Sequence, residues 1–264
     1  MKKILMFLFA MFICVGAIAH TINWYANGQV VSTTSCQSGD NITPPTAPAK
    51  TGYHFVRWEP GYTELEYIES TGTQYIDTGY KPKTGDKIRI VYQYDSLYGP
   101  DGIEAVSIFG CTDEASAVNA GNGVARVIQG TDASNRIAWG NGTNSIIGAL
   151  TYNNATGVWY DLVCDNGVFT INDTQLGTIS ANSFSANFSM YLFARNTGGT
   201  AGLITKGKIQ IAQVWDNGTL VRNLIPAKHK SDNVVGMYDT VSKQFFTNAG
   251  TGEFIAGPEV GDLQ

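Results

Sequence analysis

Apolar and polar residues alternate with a period of two over much of this chain, and the runs are short. Ile88, Ile90, Tyr92 and Tyr94 alternate with Lys87, Arg89, Val91 and Gln93. Successive side chains of a strand point to opposite faces, so this spacing predicts a strand with one buried face and one wet face. Val158, Tyr160, Leu162 and Cys164 repeat the pattern. Asp165-Asn166-Gly167 then leads into Val168-Phe169-Thr170-Ile171. Asn-Gly accepts positive φ at both central positions of a tight turn, so the stretch predicts a β-hairpin. The same grammar recurs from Ile209 to Trp215, through Asp216-Asn217-Gly218, into Leu220, Arg222 and Leu224. From Phe188 to Ala194 both faces are apolar, which predicts a central strand covered on both sides. No run carries a helical period. Short strands cut by Gly, Asn, Asp and Thr predict an all-β sandwich or barrel.

The pattern also divides the chain. Ile4 to Val15 is one long apolar run, preceded by Lys2-Lys3 and followed by Ala17-Ile18-Ala19. Residues 1–19 therefore read as a secretory signal peptide with small residues at the cleavage site. The run is shorter than the ~20 residues that cross a bilayer, so no membrane span is expected once it is removed. Residues 20–60 read as a compact unit: a strand from Thr21 to Tyr25, a turn at Ala26-Asn27-Gly28, a strand from Gln29 to Thr33, a Pro-rich stretch, then Thr51 to Trp58. Residues 61–258 have the length of one large sandwich, and 259–264 remain as a C-terminal tail.

Composition narrows the classes. Only 15% of the 264 residues are charged and 43% are hydrophobic, which excludes a solvated disordered chain. The net charge of −5 offers no basic field for a nucleic-acid backbone, so a nucleic-acid partner is not expected. Export permits disulfides, but Cys36, Cys111 and Cys164 are an odd set beyond the leader. Cys111 and Cys164 sit in apolar runs and read as buried thiols rather than a bridge. The histidines, His20, His54 and His229, are too scattered for a zinc site.

Two stretches carry a resemblance to known families. Ile22-Asn23-Trp24-Tyr25-Ala26-Asn27-Gly28 followed by Thr51-Gly52-Tyr53-His54-Phe55-Val56-Arg57-Trp58 resembles the Listeria–Bacteroides repeat of bacterial surface proteins. Arg57 stands where that family usually has Gly. The resemblance implies a small β-rich spacer without catalysis. Leu65 to Gly79, together with Val221 to Ala227, Val235 to Asp239 and Phe245 to Gly252, resembles the ends of concanavalin A-like, laminin-G-type modules of secreted gut-bacterial and phage proteins. That resemblance implies a two-sheet jelly-roll sandwich. It says little of function, because the fold hosts lectins, glycanases and inert modules alike.

Candidate chemistry is sparse. Glu64-Leu65-Glu66-Tyr67-Ile68-Glu69 loosely resembles the three-acid strand of family 16 glycoside hydrolases, with Glu66 in place of the middle Asp. Glu69 follows Glu66 by an odd count, which puts it on the opposite face of a regular strand. Asp95, Asp101, Glu104, Asp113 and Glu114, and likewise Asp132, Asn135 and Asp161, are loop-type oxygen donors that leave a structural calcium open. No other cofactor is implied. Gly-x-Ser-x-Gly and His-Glu-x-x-His are absent.

Trp139, flanked by Arg136 and Asn141, is the candidate sugar platform: an aromatic face stacks on a pyranose while its neighbours bond the hydroxyls. Trp159 and Trp215 are expected in the core. The expected function is a secreted or cell-surface, non-catalytic binding module for glycan or another extracellular surface. The alternatives are a structural or adhesive protein and, further off, a glycan hydrolase at Glu64, Glu66 and Glu69.

Overall fold

The computed structural model describes residues 3–10, 20–26, 29–37, 42–46, 48–49, 51, 53–59, 61–99, 105–112, 125–130, 136–140, 146–147, 154–179 and 183–262. Among them the chain is all-β. The first sheet holds β1 (Lys3–Ala10), β2 (His20–Ala26), β3 (Gln29–Cys36) and β4 (Tyr53–Glu59), in the order β3-β2-β1-β4. Its small core is Ile22, Trp24 and Cys36, with Ile42 against them. The Trp24 indole N–H donates to Thr34 Oγ1 at 2.8 Å, so the ring is buried without losing its polar contact. Lys3–Ala10, inside the stretch read as a leader, runs antiparallel to β2 and parallel to β4.

Beyond residue 60 the strands are β5 (Tyr62–Leu65), β6 (Ile68–Thr71), β7 (Ile76–Asp77), β8 (Asp86–Tyr94), β9 (Ala105–Thr112), β10 (Ala125–Gly130), β11 (Arg136–Trp139) and β12 (Ile146–Ile147). They continue as β13 (Trp159–Asp165), β14 (Val168–Ile171), β15 (Thr174–Thr178), β16 (Tyr191–Leu192), β17 (Arg195–Thr197), β18 (Thr200–Gly202), β19 (Lys206–Asp216) and β20 (Thr219–His229). The last are β21 (Val235–Asp239), β22 (Phe245–Phe246), β23 (Ile255–Ala256) and β24 (Glu259–Asp262). One sheet runs β12-β11-β10-β9-β16-β7, with β17 and β18 attached at β9. The larger runs β15-β14-β13-β8-β19-β20-β21-β22, with β6 joined to β19 and β5 to β20, and β23 and β24 added outside β6 and β5. Side chains from both sheets, among them Ile90, Tyr92 and Val214 from the larger and Phe109, Ile137 and Leu192 from the smaller, share one core. This is a two-sheet sandwich.

Both Asn-Gly hairpins form as their turn chemistry dictates. Asn166 and Gly167 have φ of 43° and 89°, and Asn217 and Gly218 have 45° and 83°. At Gly167 a Cβ would lie 2.3 Å from the Ile179 carbonyl oxygen, so both the turn and its packing require glycine. The two motif-bearing ends of the sandwich meet. Asn248 Oδ1 accepts from the Tyr75 N–H at 3.1 Å, and the Ala249 N–H donates to the Tyr75 carbonyl at 2.9 Å. The Thr251 N–H donates to the Thr73 carbonyl at 3.1 Å, and the Thr73 hydroxyl to the Thr251 carbonyl at 2.9 Å. Those motif residues staple the fold.

Two expectations change. The stretch from Phe188 to Ala194 is not one long strand: only Tyr191–Leu192 pairs, because Phe193 adopts φ 63° and turns the backbone out of the ladder. Met190 to Ala194 is nonetheless buried throughout, as its two-sided apolar pattern requires. Glu259–Asp262 is a strand against β5 rather than a loose tail. Cys36, Cys111 and Cys164 are each buried and unbridged, and burial pushes the Cys164 thiol well above its ordinary pKa.

Candidate functional site

The larger sheet buries one face of β13, β8 and β19 and leaves the other half-exposed. On β8, residues 86, 88, 90, 92 and 94 are buried, while 87, 89, 91 and 93 face outward. Register aligns the outward side chains in rows. Asp165, Lys87 and Trp215 form one, and Val163, Arg89, Gln213 and Asn223 the next. Asp161, Val91 and Ile211 follow, then Trp159, Gln93 and Lys208.

A continuous hydrogen-bonded ladder crosses these strands. Arg89 grips Asp161 with two prongs, Nε to Oδ1 at 2.9 Å and Nη2 to Oδ2 at 2.8 Å. Its remaining prong, Nη1, donates to Gln213 Oε1 at 3.1 Å. Gln213 Nε2 donates to Asn223 Oδ1 at 3.0 Å, and Asn223 Nδ2 donates to the Thr240 hydroxyl at 2.6 Å. The hydrogen bonds it donates to Asp161 hold the Arg89 guanidinium above its ordinary pKa. The Arg89 and Asp161 side chains are 36% and 37% exposed, so the ladder lies open to water.

A tryptophan marks each end. Lys87 Nζ lies 5.3 Å from the centre of the Trp215 ring. Trp159 leans on Tyr67 with ring centres 6.0 Å apart. Lys208 Nζ lies 5.8 Å over Tyr67 and bonds Asp95 Oδ1 at 2.7 Å and Gln93 Oε1 at 3.2 Å. Burial opposes the Lys208 charge, but the Asp95 hydrogen bond and the Asp95 and Glu69 carboxylates outweigh it and raise the pKa.

The tryptophans thus exchange the places expected of them. Trp139 is 1% exposed and meets Phe184 edge-on at 5.2 Å, so it offers no face to a sugar. Its strand belongs to the smaller sheet and the ring points into the shared core. Asn141 lies outside the described residues, and of Arg136 only the strand position on β11 is described. Trp159 and Trp215, expected inside, are half-buried on the outer face. For Trp159 the signal was in the alternation: Tyr160, Leu162 and Cys164 form the buried set, and Trp159 belongs to the other. For Trp215 it was hidden. Counting by twos from Ile209 through Ile211 leads to Trp215, but the register shifts between Ile209 and Ile211, so Ala212 and Val214 turn inward and Trp215 outward.

The three acids do not share a strand. Glu64 is on β5, Glu66 is exposed in the bend after it, and Glu69 is on β6 with its carboxylate 3.7 Å from Lys208 Nζ. Of the calcium candidates, Asp95 and Asp161 are held by Lys208 and Arg89. Asp101, Glu104, Asp113, Glu114, Asp132 and Asn135 lie outside the described residues. Among the described residues, no three His, Cys, Asp or Glu side chains group as a metal site would need.

Two other features are accounted for by structure. The Ser231 hydroxyl and Asp232 Oδ1 both lie 2.8 Å from the same nitrogen of His229, Nδ1, whereas a nucleophile relay needs its partners on opposite nitrogens. A cavity of about 300 Å³ between 232–235 and 247–254 is bordered by Asn248. That side chain is committed to the Tyr75 and Gly250 N–H groups and the Gly252 carbonyl.

No described helix is long and apolar enough to cross a membrane. No family model and no curated protein matches the chain. A solved structure of a proposed carbohydrate-binding protein from Bacteroides ovatus is similar at 12% identity with a TM-score of 0.49, over 94% of this chain and 71% of that one. A likeness of that degree does not say what this chain binds.

Proposed function

We propose that this chain is an exported, non-catalytic module that binds glycan on the outer face of its larger sheet. The ladder from Asp161 through Arg89, Gln213 and Asn223 to Thr240, bounded by half-exposed tryptophans, carries the reading. Sugar hydroxyls both donate and accept. The ladder meets them with a guanidinium, two amides, a carboxylate and a hydroxyl, each held in place by its neighbour before a ligand arrives. The tryptophans supply the apolar platform that a pyranose ring packs on.

Catalysis is not part of the proposal. A retaining glycosidase needs two carboxyls ~5 Å apart on one cleft. Here Glu66 is exposed in a bend and Glu69 is engaged by Lys208. Export rests on the leader-like composition of residues 1–19.

A glycan array probed with the wild-type chain and Trp215→Ala tests the reading. Specific binding that the substitution weakens supports it. Wild-type protein that binds no glycan overturns it in favour of the structural or adhesive role. Hydrolysis of any polysaccharide that Glu66→Gln abolishes would restore the enzyme reading.

A further inference from the structure

We infer that the ligand of this face is a neutral oligosaccharide lying obliquely between Trp215 and Trp159; the inference rests on the glycan-binding reading above. Two observations carry it: the charge already spent across the face, and the spacing of its aromatic ends.

Between the tryptophans the outward cations are Lys87, Arg89 and Lys208. Lys87 faces Asp165 at 3.8 Å, and Arg89 holds Asp161 at 2.8 Å with a bidentate grip. Lys208 holds Asp95 at 2.7 Å and Glu69 at 3.7 Å. Lys206, two residues before Lys208 and aligned with Thr71, lies beyond the row of Trp159, Gln93 and Lys208, outside this path. Four carboxylates therefore accompany three cations. A sulfated or uronic-acid glycan needs a free cation, and using Arg89 would strand the Asp161 carboxylate, 37% exposed, against the incoming anion. A neutral hydroxyl asks for no such exchange. It accepts from a guanidinium or amide N–H and donates to carboxylate or amide oxygen while the ladder stays intact.

The spacing argues for a chain of sugars. Trp215 aligns with Lys87 and Trp159 with Gln93, on opposite sides of β8. Lys87 and Gln93 are six residues apart, so at ~3.4 Å per residue and ~4.8 Å per strand the tryptophans stand roughly 22 Å apart. The half-buried aliphatic side chains of Val91, Val163 and Ile211 lie between them. An apolar strip with polar groups beside it and a ring at each end suits the alternating C–H and hydroxyl surfaces of an extended oligosaccharide. A monosaccharide would reach one ring alone.

The experiment titrates the full chain with linear neutral gluco- and manno-oligosaccharides from disaccharide to octasaccharide, alongside their sulfated counterparts. Expected are affinities that climb with length and level off once both ends are reached, weak binding of sulfated chains, and little response to added salt. Trp215→Ala and Trp159→Ala should each weaken the octasaccharide about tenfold and flatten the dependence on length, with the melting temperature showing that each variant folds. Sulfated chains that bind more tightly than neutral ones, or a disaccharide that binds as well as an octasaccharide, would overturn the inference and leave glycan binding standing. No binding to either series or to a wider array removes both.

Discussion

The two faces of strand β8 are built from neighbouring residues and do opposite work. Ile88, Ile90, Tyr92 and Tyr94 are at most 1% exposed and lock the larger sheet onto the smaller. Lys87, Arg89, Val91 and Gln93, interleaved with them, face outward, and Arg89 carries the ladder. The inner face gains by being dry, since burying a large apolar side chain contributes about 1.5–3 kcal/mol. The outer face gains little stability from its ion pairs, because half-exposed pairs contribute only ~0–1 kcal/mol. What it gains is order: each side chain is fixed by the next across four strands. Stability and recognition are thus divided by the pleat of a single strand.

The tryptophans give the strongest way to break that division. Trp139→Ala should cost roughly 3–5 kcal/mol and lower the melting temperature by ~10 °C, read by thermal and denaturant unfolding. A near-neutral result would mean that Trp139 is not a core residue. Gly167→Ala follows, at about 2 kcal/mol or more, from φ 89° together with the 2.3 Å approach to the Ile179 carbonyl. Trp215→Ala sharpens the comparison from the other side: it should cost less than ~1 kcal/mol of stability while weakening glycan binding about tenfold. Asp161→Asn should shift unfolding by less still, under ~1 kcal/mol after solvent screening, and relax the exclusion of anionic glycans.

The smallest effect is a pH dependence on the inner side. Asp86 is fully buried. Burial pushes its carboxyl above the usual range, although the Lys83 N–H and the Tyr80 hydroxyl hold it down through hydrogen bonds at 2.8 and 2.9 Å. A carboxyl with a raised folded-state pKa stabilises the fold below its unfolded pKa, and that contribution is lost as pH rises through the folded value. Asp86→Asn should therefore gain on the wild type as pH climbs out of the acid range. Parallel pH–stability curves for the two proteins would remove Asp86 from the account.

How far the fold could be read in advance varied with how local its causes were. Both Asn-Gly hairpins and the two faces of β8 and β13 follow from residues within ten positions of each other, and all formed as the sequence predicts. The candidate site did not. Trp139 reads as a loop-side ring because Gly140 and Asn141 follow it, yet its strand packs that ring against Phe184 and Gly167, which arrive from distant segments. Trp215 is turned outward by a register shift between Ile209 and Ile211, which a period-two count cannot register. The ladder joins Asp161, Arg89, Gln213 and Asn223 from four strands, so no spacing in the chain could announce it.

The sequence by itself determined that this chain is all-β, where its tight turns lie, and which residues of its regular strands turn inward, because period-two patterning and positive-φ turn chemistry act over a few residues. Only the tertiary structure decided which tryptophans are core and which are surface, and which polar side chains stand side by side. Those outcomes depend on strand order and on a bulge, and both are settled when distant strands pair rather than when any one of them forms.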